Sequence, residues 1–221
     1  MVISWYGQSS FKIQSGELVI ATDPYHKEIG LTPPRFKADI VVVTHEHPDH
    51  NNIETIPQAG EAEGAFIVRG PGDYEIKGVT ITGIETFHDK VSGKERGANT
   101  AYIIELENIR LLHLGDFGEA KLRPETIDAL GEIDILLVPV GGTYTIDAEE
   151  AAEIASQVEP KVVIPMHYKI PGLKVNLAPV DTFLKEMGAK SAEVEDRLTI
   201  KKKDLAEDES AKVVVLKPVN S

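Results

Sequence analysis

The chain has 221 residues, 42% hydrophobic and 27% charged, enough for one substantial core and ordinary for a soluble globular protein. Its formal net charge of −13 disfavours general affinity for nucleic-acid backbones and anionic lipid surfaces. With no cysteine, disulfides and thiolate metal sites are excluded, and no apolar run is long enough to span a bilayer.

The opening stretch, MVISWYGQSSFKI, lacks the basic and apolar regions of a secretion signal and reads as a first strand. The expectation is a single cytoplasmic domain over residues 1–221. Val2 to Tyr6 and Phe11 to Gln14 are strand candidates joined by a Gly/Ser turn. Gly16 makes a second turn, and ELVIATD runs out to Asp23. After a Pro/Gly-punctuated loop containing His26, ADIVVVTH is apolar on both faces, as in a strand covered on both sides.

The second half repeats this order. NTAYIIELENIRLLHLGD gives strand, turn at Glu107-Asn108, and strand ending on Asp116; EIDILLVPV then matches ADIVVVTH, with Asp134 aligned to Asp39. DAEEAAEIASQV suits a helix with Asp147 as N-cap, PKVVIPMHY a buried strand, and LAPVDTFLKEMG a helix closed by Gly188. DRLTIKKKDL and AKVVVLKPV read as two edge strands flanking the acidic turn AEDES. Two similar halves of paired strands and helices predict an α+β or α/β fold: a four-layer αββα sandwich with its sheets face to face.

Within VVVTHEHPDHNN, three histidines and two acids fall in six positions at a strand end. The helical zinc-protease signature His-Glu-x-x-His fails here, because position 49 is Asp and Pro48 would break the helix that must carry both ligands. A solvated loop without chemistry does not account for so dense a cluster. Metal binding does: His-x-His on an extended strand end puts both rings on one side, and Pro48 turns the chain so that Asp49 and His50 can face a second ion. Imidazole and carboxylate ligands without sulfur suit Zn²⁺ first, then Mn²⁺ or Fe²⁺. Six residues cannot complete two coordination spheres, and further candidates stand at strand ends: His88, Asp116 and His167.

This pattern, His45-x-His47-x-Asp49-His50 followed by His88, Asp116 and His167, resembles the metal-binding signature of the metallo-β-lactamase-fold hydrolases. The segments TFHD, RGANT, HLGDFG, PVGGTYTID and IPMHY resemble the compact branch near the ascorbate-6-phosphate lactonases and related uncharacterised hydrolases. The resemblance implies one metal on His45, His47 and His88 and a second on Asp49, His50 and His167, with Asp116 bridging. The carboxylates Asp49 and Asp116 are then the candidate catalytic groups. Two divalent ions would lower the pKa of a shared water from ~15.7 toward ~7 and make hydroxide available for hydrolysis. The expected substrate is a small, anionic lactone, phosphodiester or thioester, with no nucleic-acid or membrane partner; a homo-oligomer is left open. Redox members with a di-iron centre carry Glu where this chain has His47, so a di-iron oxidoreductase is the alternative, beside a non-catalytic metal-binding protein.

Four residues near these ligands are candidate substrate contacts: Arg96 and Asn99 in the Gly-rich loop SGKERGANT, and Tyr168 and Lys169 beside His167. That loop, which also carries Lys94, could equally be a solvated turn. Asp23 could fix a histidine ring through its free N–H or cap a turn. His113, three residues before Asp116, is expected to pack or support a ligand and not to bind metal; His26 is expected at the surface.

Overall fold

A computed structural model of the protein describes residues 1–57, 64–189, 192–205 and 211–219. The first half is built on the meander β1 (Val2–Gly7), β2 (Ser10–Ser15) and β3 (Leu18–Thr22), with β4 (Ile40–Val43) and β5 (Phe66–Arg69) added parallel to β3. The second half repeats the scheme after β6 (Gly72–Ile76). Its meander is β7 (Val79–Phe87), β8 (Ala98–Leu106) and β9 (Ile109–His113), and β10 (Ile135–Pro139) and β11 (Val162–Met166) follow in parallel.

Helices α1 (Pro124–Leu130), α2 (Ala148–Val158) and α3 (Val180–Glu186) belong to this half, and β12 (Glu193–Glu195), β13 (Leu198–Thr199) and β14 (Lys212–Leu216) complete the set. The sheet orders are β13-β1-β2-β3-β4-β5 and β12-β14-β11-β10-β9-β8-β7-β6. Their inner faces share one core, in which Trp5, Phe11, Ile20 and Val42 join Ile104, Leu111, Leu137 and Ile164. This is the expected α+β sandwich with its two sheets face to face.

The repeat extends to individual hydrogen bonds. Asp39 donates its N–H to Val19 O (2.8 Å) and accepts the Val19 N–H on Oδ2 (2.9 Å). Asp134 makes the same pair with Arg110, at 2.9 Å each way. Each carboxylate also takes a lysine: Lys77 Nζ at 2.6 Å from Asp39, Lys202 Nζ at 2.8 Å from Asp134. At both places an aspartate just before a buried strand clips it to the preceding one.

The predicted helices form where expected. Asp147 caps α2 in a reciprocal capping box with Glu150, and Gly188, at φ 65°, follows α3. Among the described residues all three α-helices cover the second sheet. The outer face of the first is small: Val19, Ala21, Val41 and Val43 are covered by Phe36, Ile53 and Ile56 from loops.

Two expectations at the C-terminal end are corrected. β14 is no edge strand: it lies between β11 and β12, and its Val213 to Leu216 are buried, as four apolar residues in a row require. IKKKDL is not a strand throughout: β13 ends at Thr199, and Lys202–Asp204 is a 3₁₀ turn. The acidic turn AEDES lies outside the described residues. Strands β5, β6 and β12 and helix α1 were not anticipated. No helix among the described residues is long and apolar enough to cross a membrane.

Candidate metal centre

The C-terminal ends of β3 and β4 meet those of β7, β9 and β11 along one edge of the sandwich, and every candidate ligand sits there. His45, His47, Asp49 and His50 follow β4; His88 follows β7; Asp116 lies three residues past β9; His167 follows β11. Two groups of ligand atoms result, His45/His47/His88 and Asp49/His50/Asp116/His167, each with its atoms within 4.8 Å of one another. Asp116 joins them. Its Oδ1 lies 3.2 Å from His50 Nε2, and its Oδ2 lies 3.2 Å from His88 Nε2 and 3.4 Å from His167 Nε2. His45 Nε2 and His47 Nδ1 are 3.0 Å apart.

Tight backbone turns aim these groups. Gln8, Asp23 and His167 all adopt left-handed φ values of 48°, 39° and 51°. Such conformations cost about 1–3 kcal/mol each and persist only when the surroundings enforce them. Gly118 and Gly141 let backbone close in behind two of the histidines. A Cβ on Gly118 would fall 2.4 Å from the His88 carbonyl carbon, and one on Gly141 would fall 2.2 Å from His167 O.

Around the cluster runs a layer of hydrogen bonds. Asp23, fully buried, accepts on Oδ1 from the Thr44 N–H (2.8 Å) and on Oδ2 from His113 Nε2 (2.7 Å). His50 Nδ1 lies 3.4 Å from the same Oδ2. Thr44 Oγ1 stands 3.0 Å from His45 Nδ1, Ser9 Oγ donates to Asp116 Oδ1 (3.2 Å), and Gln8 Nε2 donates to Asp49 Oδ2 (3.3 Å).

Electrostatics separate the two groups. Burial, reinforced by the charge of His50, pushes His45 down to about 3, and burial also lowers His47, so the neutral imidazole is favoured at both. Burial works against ionising Asp23, Asp49 and Asp116, yet the histidines outweigh it. His113 and His50 act on Asp23, His50 on Asp49, and His167 with His50 on Asp116, and all three carboxyls stay below the usual range. The carboxylates in turn overcome burial at His50 and raise its pKa. Both ring nitrogens of His50 and the Nδ1 atoms of His88 and His167 are buried without a hydrogen-bond partner. Imidazole nitrogens and carboxylate oxygens brought within 4.8 Å of one another, with no sulfur, are a donor set that fits divalent cations.

The remaining candidates divide. His113 and Asp23 contact each other and the groups behind the ligands. Arg96 lines a cavity of about 480 Å³ together with His45, His47 and Arg69. Asn99 is corrected as a substrate contact: it is buried, donates to Thr86 Oγ1 and Leu114 O, and accepts the Asp116 N–H. Tyr168 is corrected likewise, being packed on Trp5 in the core with ring centroids 4.8 Å apart. Lys169 is exposed, its backbone bonded to Ala178, and it does not line that cavity. His26 is partly buried, and its N–H donates to Pro48 O. Glu46 turns away from the cluster to Arg69 and Asn51.

Three contributors were missed. Gln8 and Ser9 fall within the Gly/Ser turn, where the sequence carries no chemical signal for them. Asp89 accepts four backbone N–H groups, from Val91, Gly93, Glu95 and Arg96, and so organises the loop after His88. Its signal was an aspartate opening a Ser/Gly-rich segment.

A sandwich of this topology with its histidine and aspartate cluster at the strand ends defines a metallo-β-lactamase-fold protein. The profile of the Beta-lactamase superfamily domain matches residues 2–167, and the chain belongs to that superfamily. A metal-dependent hydrolase of Thermococcus kodakarensis is 30% identical over 191 residues, covering 75% of this chain and 84% of that one, which places the chain among the superfamily's metal-dependent hydrolases. A crystal structure from Thermotoga maritima, provisionally described as a Zn-dependent hydrolase of the same superfamily, is 39% identical, covers 97% of both chains and superposes with a TM-score of 0.77. The fold alone is shared with a di-iron β-hydroxylase from Streptomyces venezuelae, 13% identical at a TM-score of 0.61 over 97% of this chain and 52% of that one.

Proposed function

We propose that His45, His47 and His88 hold one divalent ion and Asp49, His50 and His167 a second, with Asp116 shared between them. On this reading the chain hydrolyses a small anionic substrate: a lactone, phosphodiester or thioester. The observation that carries it is Asp116, whose two oxygens stand within 3.4 Å of imidazole nitrogens from both groups. Borderline nitrogen and oxygen ligands favour Zn²⁺ over Mn²⁺ or Fe²⁺. Such ions, when bound, supply an activated water and a Lewis acid for the scissile carbonyl or phosphoryl group.

The chain's own residues do the rest. Neutral His45 and His47 offer lone pairs without first losing a proton. Asp116, held by Ser9 and three histidines, keeps the two groups at fixed separation. Asp49 is the more open carboxylate, its side chain 25% exposed against 3% for Asp116, and is the one able to take a proton and pass it toward solvent. Gln8 orients that carboxylate.

Metal analysis of protein purified without chelators should find two ions per chain. His47→Ala and Asp116→Asn should each lower hydrolysis by about 100-fold or more. A chain with essentially no metal, or a variant with undiminished turnover, would defeat the proposal. A di-iron oxidoreductase is the competing assignment, since that chemistry occurs on this fold in the Streptomyces protein. Against it, His47 occupies the position of the redox members' glutamate, and Glu46 faces Arg69. An oxidoreductase would give coloured, iron-loaded protein; colourless protein is expected.

A further inference from the structure

The cavity beside His45 and His47 is lined by two arginines in different electrostatic states. Arg69 is already neutralised by Glu46. Arg96 is not: among the described residues no carboxylate lies within ion-pair distance of it. Its guanidinium instead sits over the ring of Tyr144, 4.0 Å from the centroid. Stacking fixes the plane of a guanidinium through its face and leaves the N–H groups at its edge free for a planar or tetrahedral oxyanion. The backbone beneath is equally fixed, because the Arg96 N–H is one of the four held by Asp89.

We propose that Arg96 is the anchor for the anionic group of the substrate, a carboxylate or phosphate, and that Tyr144 and Asp89 are its positioning residues. The molecule carries a net −13, so an anion reaching this edge needs a local cation, and an arginine without a carboxylate partner in the cavity wall provides one. The cavity touches His45 and His47 but none of Asp49, His50, Asp116 or His167, so the substrate enters over the first histidine group with its charged end toward the loop after His88. Only this direction of entry rests on the two-ion reading. The oxyanion site itself does not.

The test is calorimetric binding of benzoate, phenyl phosphate and uncharged phenol to the full chain, as purified and after chelator treatment. Arg96→Gln should weaken binding of benzoate or phenyl phosphate by about 10–100-fold and leave phenol unchanged, with Arg96→Lys intermediate. Tyr144→Phe, which keeps the ring, should bind like the parent, whereas Tyr144→Leu should weaken the oxyanion several-fold. Both side chains are exposed, so an unchanged melting temperature verifies that each variant is folded. The preferred probe distinguishes a carboxylate from a phosphate. Equal oxyanion binding by Arg96→Gln and the parent, or equal loss of phenol, overturns the proposal. A chelated parent that still discriminates from Arg96→Gln, in a protein that proves to carry no metal, would sustain the anchor while removing the two-ion site.

Discussion

Asp23 holds three histidine-linked groups at once, through His113, through Thr44 and its contact with His45, and through the nearby ring of His50. Its worth to the centre is therefore in orientation. Asp23→Asn replaces one acceptor oxygen by a donor and leaves His113 or His50 facing an N–H. Loss of such a supporting carboxylate should weaken metal affinity by about 10–100-fold, read by chelator competition; unchanged affinity would show that the rings need no such support. At this scale the sequence was informative wherever a residue's chemistry could be tied to a strand end, as for the seven histidines and aspartates of the two groups. It failed where proximity in sequence stood in for direction. Tyr168 is one residue from His167, yet the left-handed turn at His167 sends the tyrosine into the core beside Trp5. Asn99 follows a polar loop in sequence but is the second residue of β8 and is buried, where both ends of its amide are used.

Among the elements, the aspartate clips ahead of β4 and β10 make the internal repeat physical. The Asp39 carboxyl loses solvation on folding, but the hydrogen bond from Lys77 and the Val19 N–H outweigh that and lower its pKa. Its folded value lies below the unfolded value of about 3.9, so its contribution to stability is complete above that pH and shrinks as pH falls toward the folded value. Asp39→Asn should therefore be less stable than the parent at pH 7, with the gap closing at a pH below the carboxyl's folded pKa. Urea midpoints at the two pH values measure this; a gap independent of pH would mean that the carboxylate charge is not what holds the strands. Apolar runs and caps made most elements legible, α2 with its Asp147 cap above all. Helix α1 was not, because seven residues are too few to display a helical period, although Pro124 at its first turn was a usable signal. For β14, read as an edge strand, the unbroken Val213 to Leu216 run was the truer guide.

For the molecule as a whole, the candidate ligands come from both sheets, so bound ions would tie the halves together. Chelation should keep the far-ultraviolet circular dichroism but lower the melting temperature. At metal levels 1,000-fold above Kd the stabilisation is about 4 kcal/mol, or roughly 8–16 °C for a chain of this size. An unchanged melting temperature would mean that the sandwich closes without help from metal. The segment that completes both sheets comes last in the chain. β13 pairs with β1, β14 enters between β11 and β12, Pro218 bridges to Trp5, and the Val219 N–H donates to Trp5 O at 2.7 Å. A ribosome that has reached residue 167 has thus produced all seven candidate ligands, but not the strands that complete the two sheets. On the two-ion proposal, discrimination among cations would then belong to the finished enclosure and not to the emerging polypeptide.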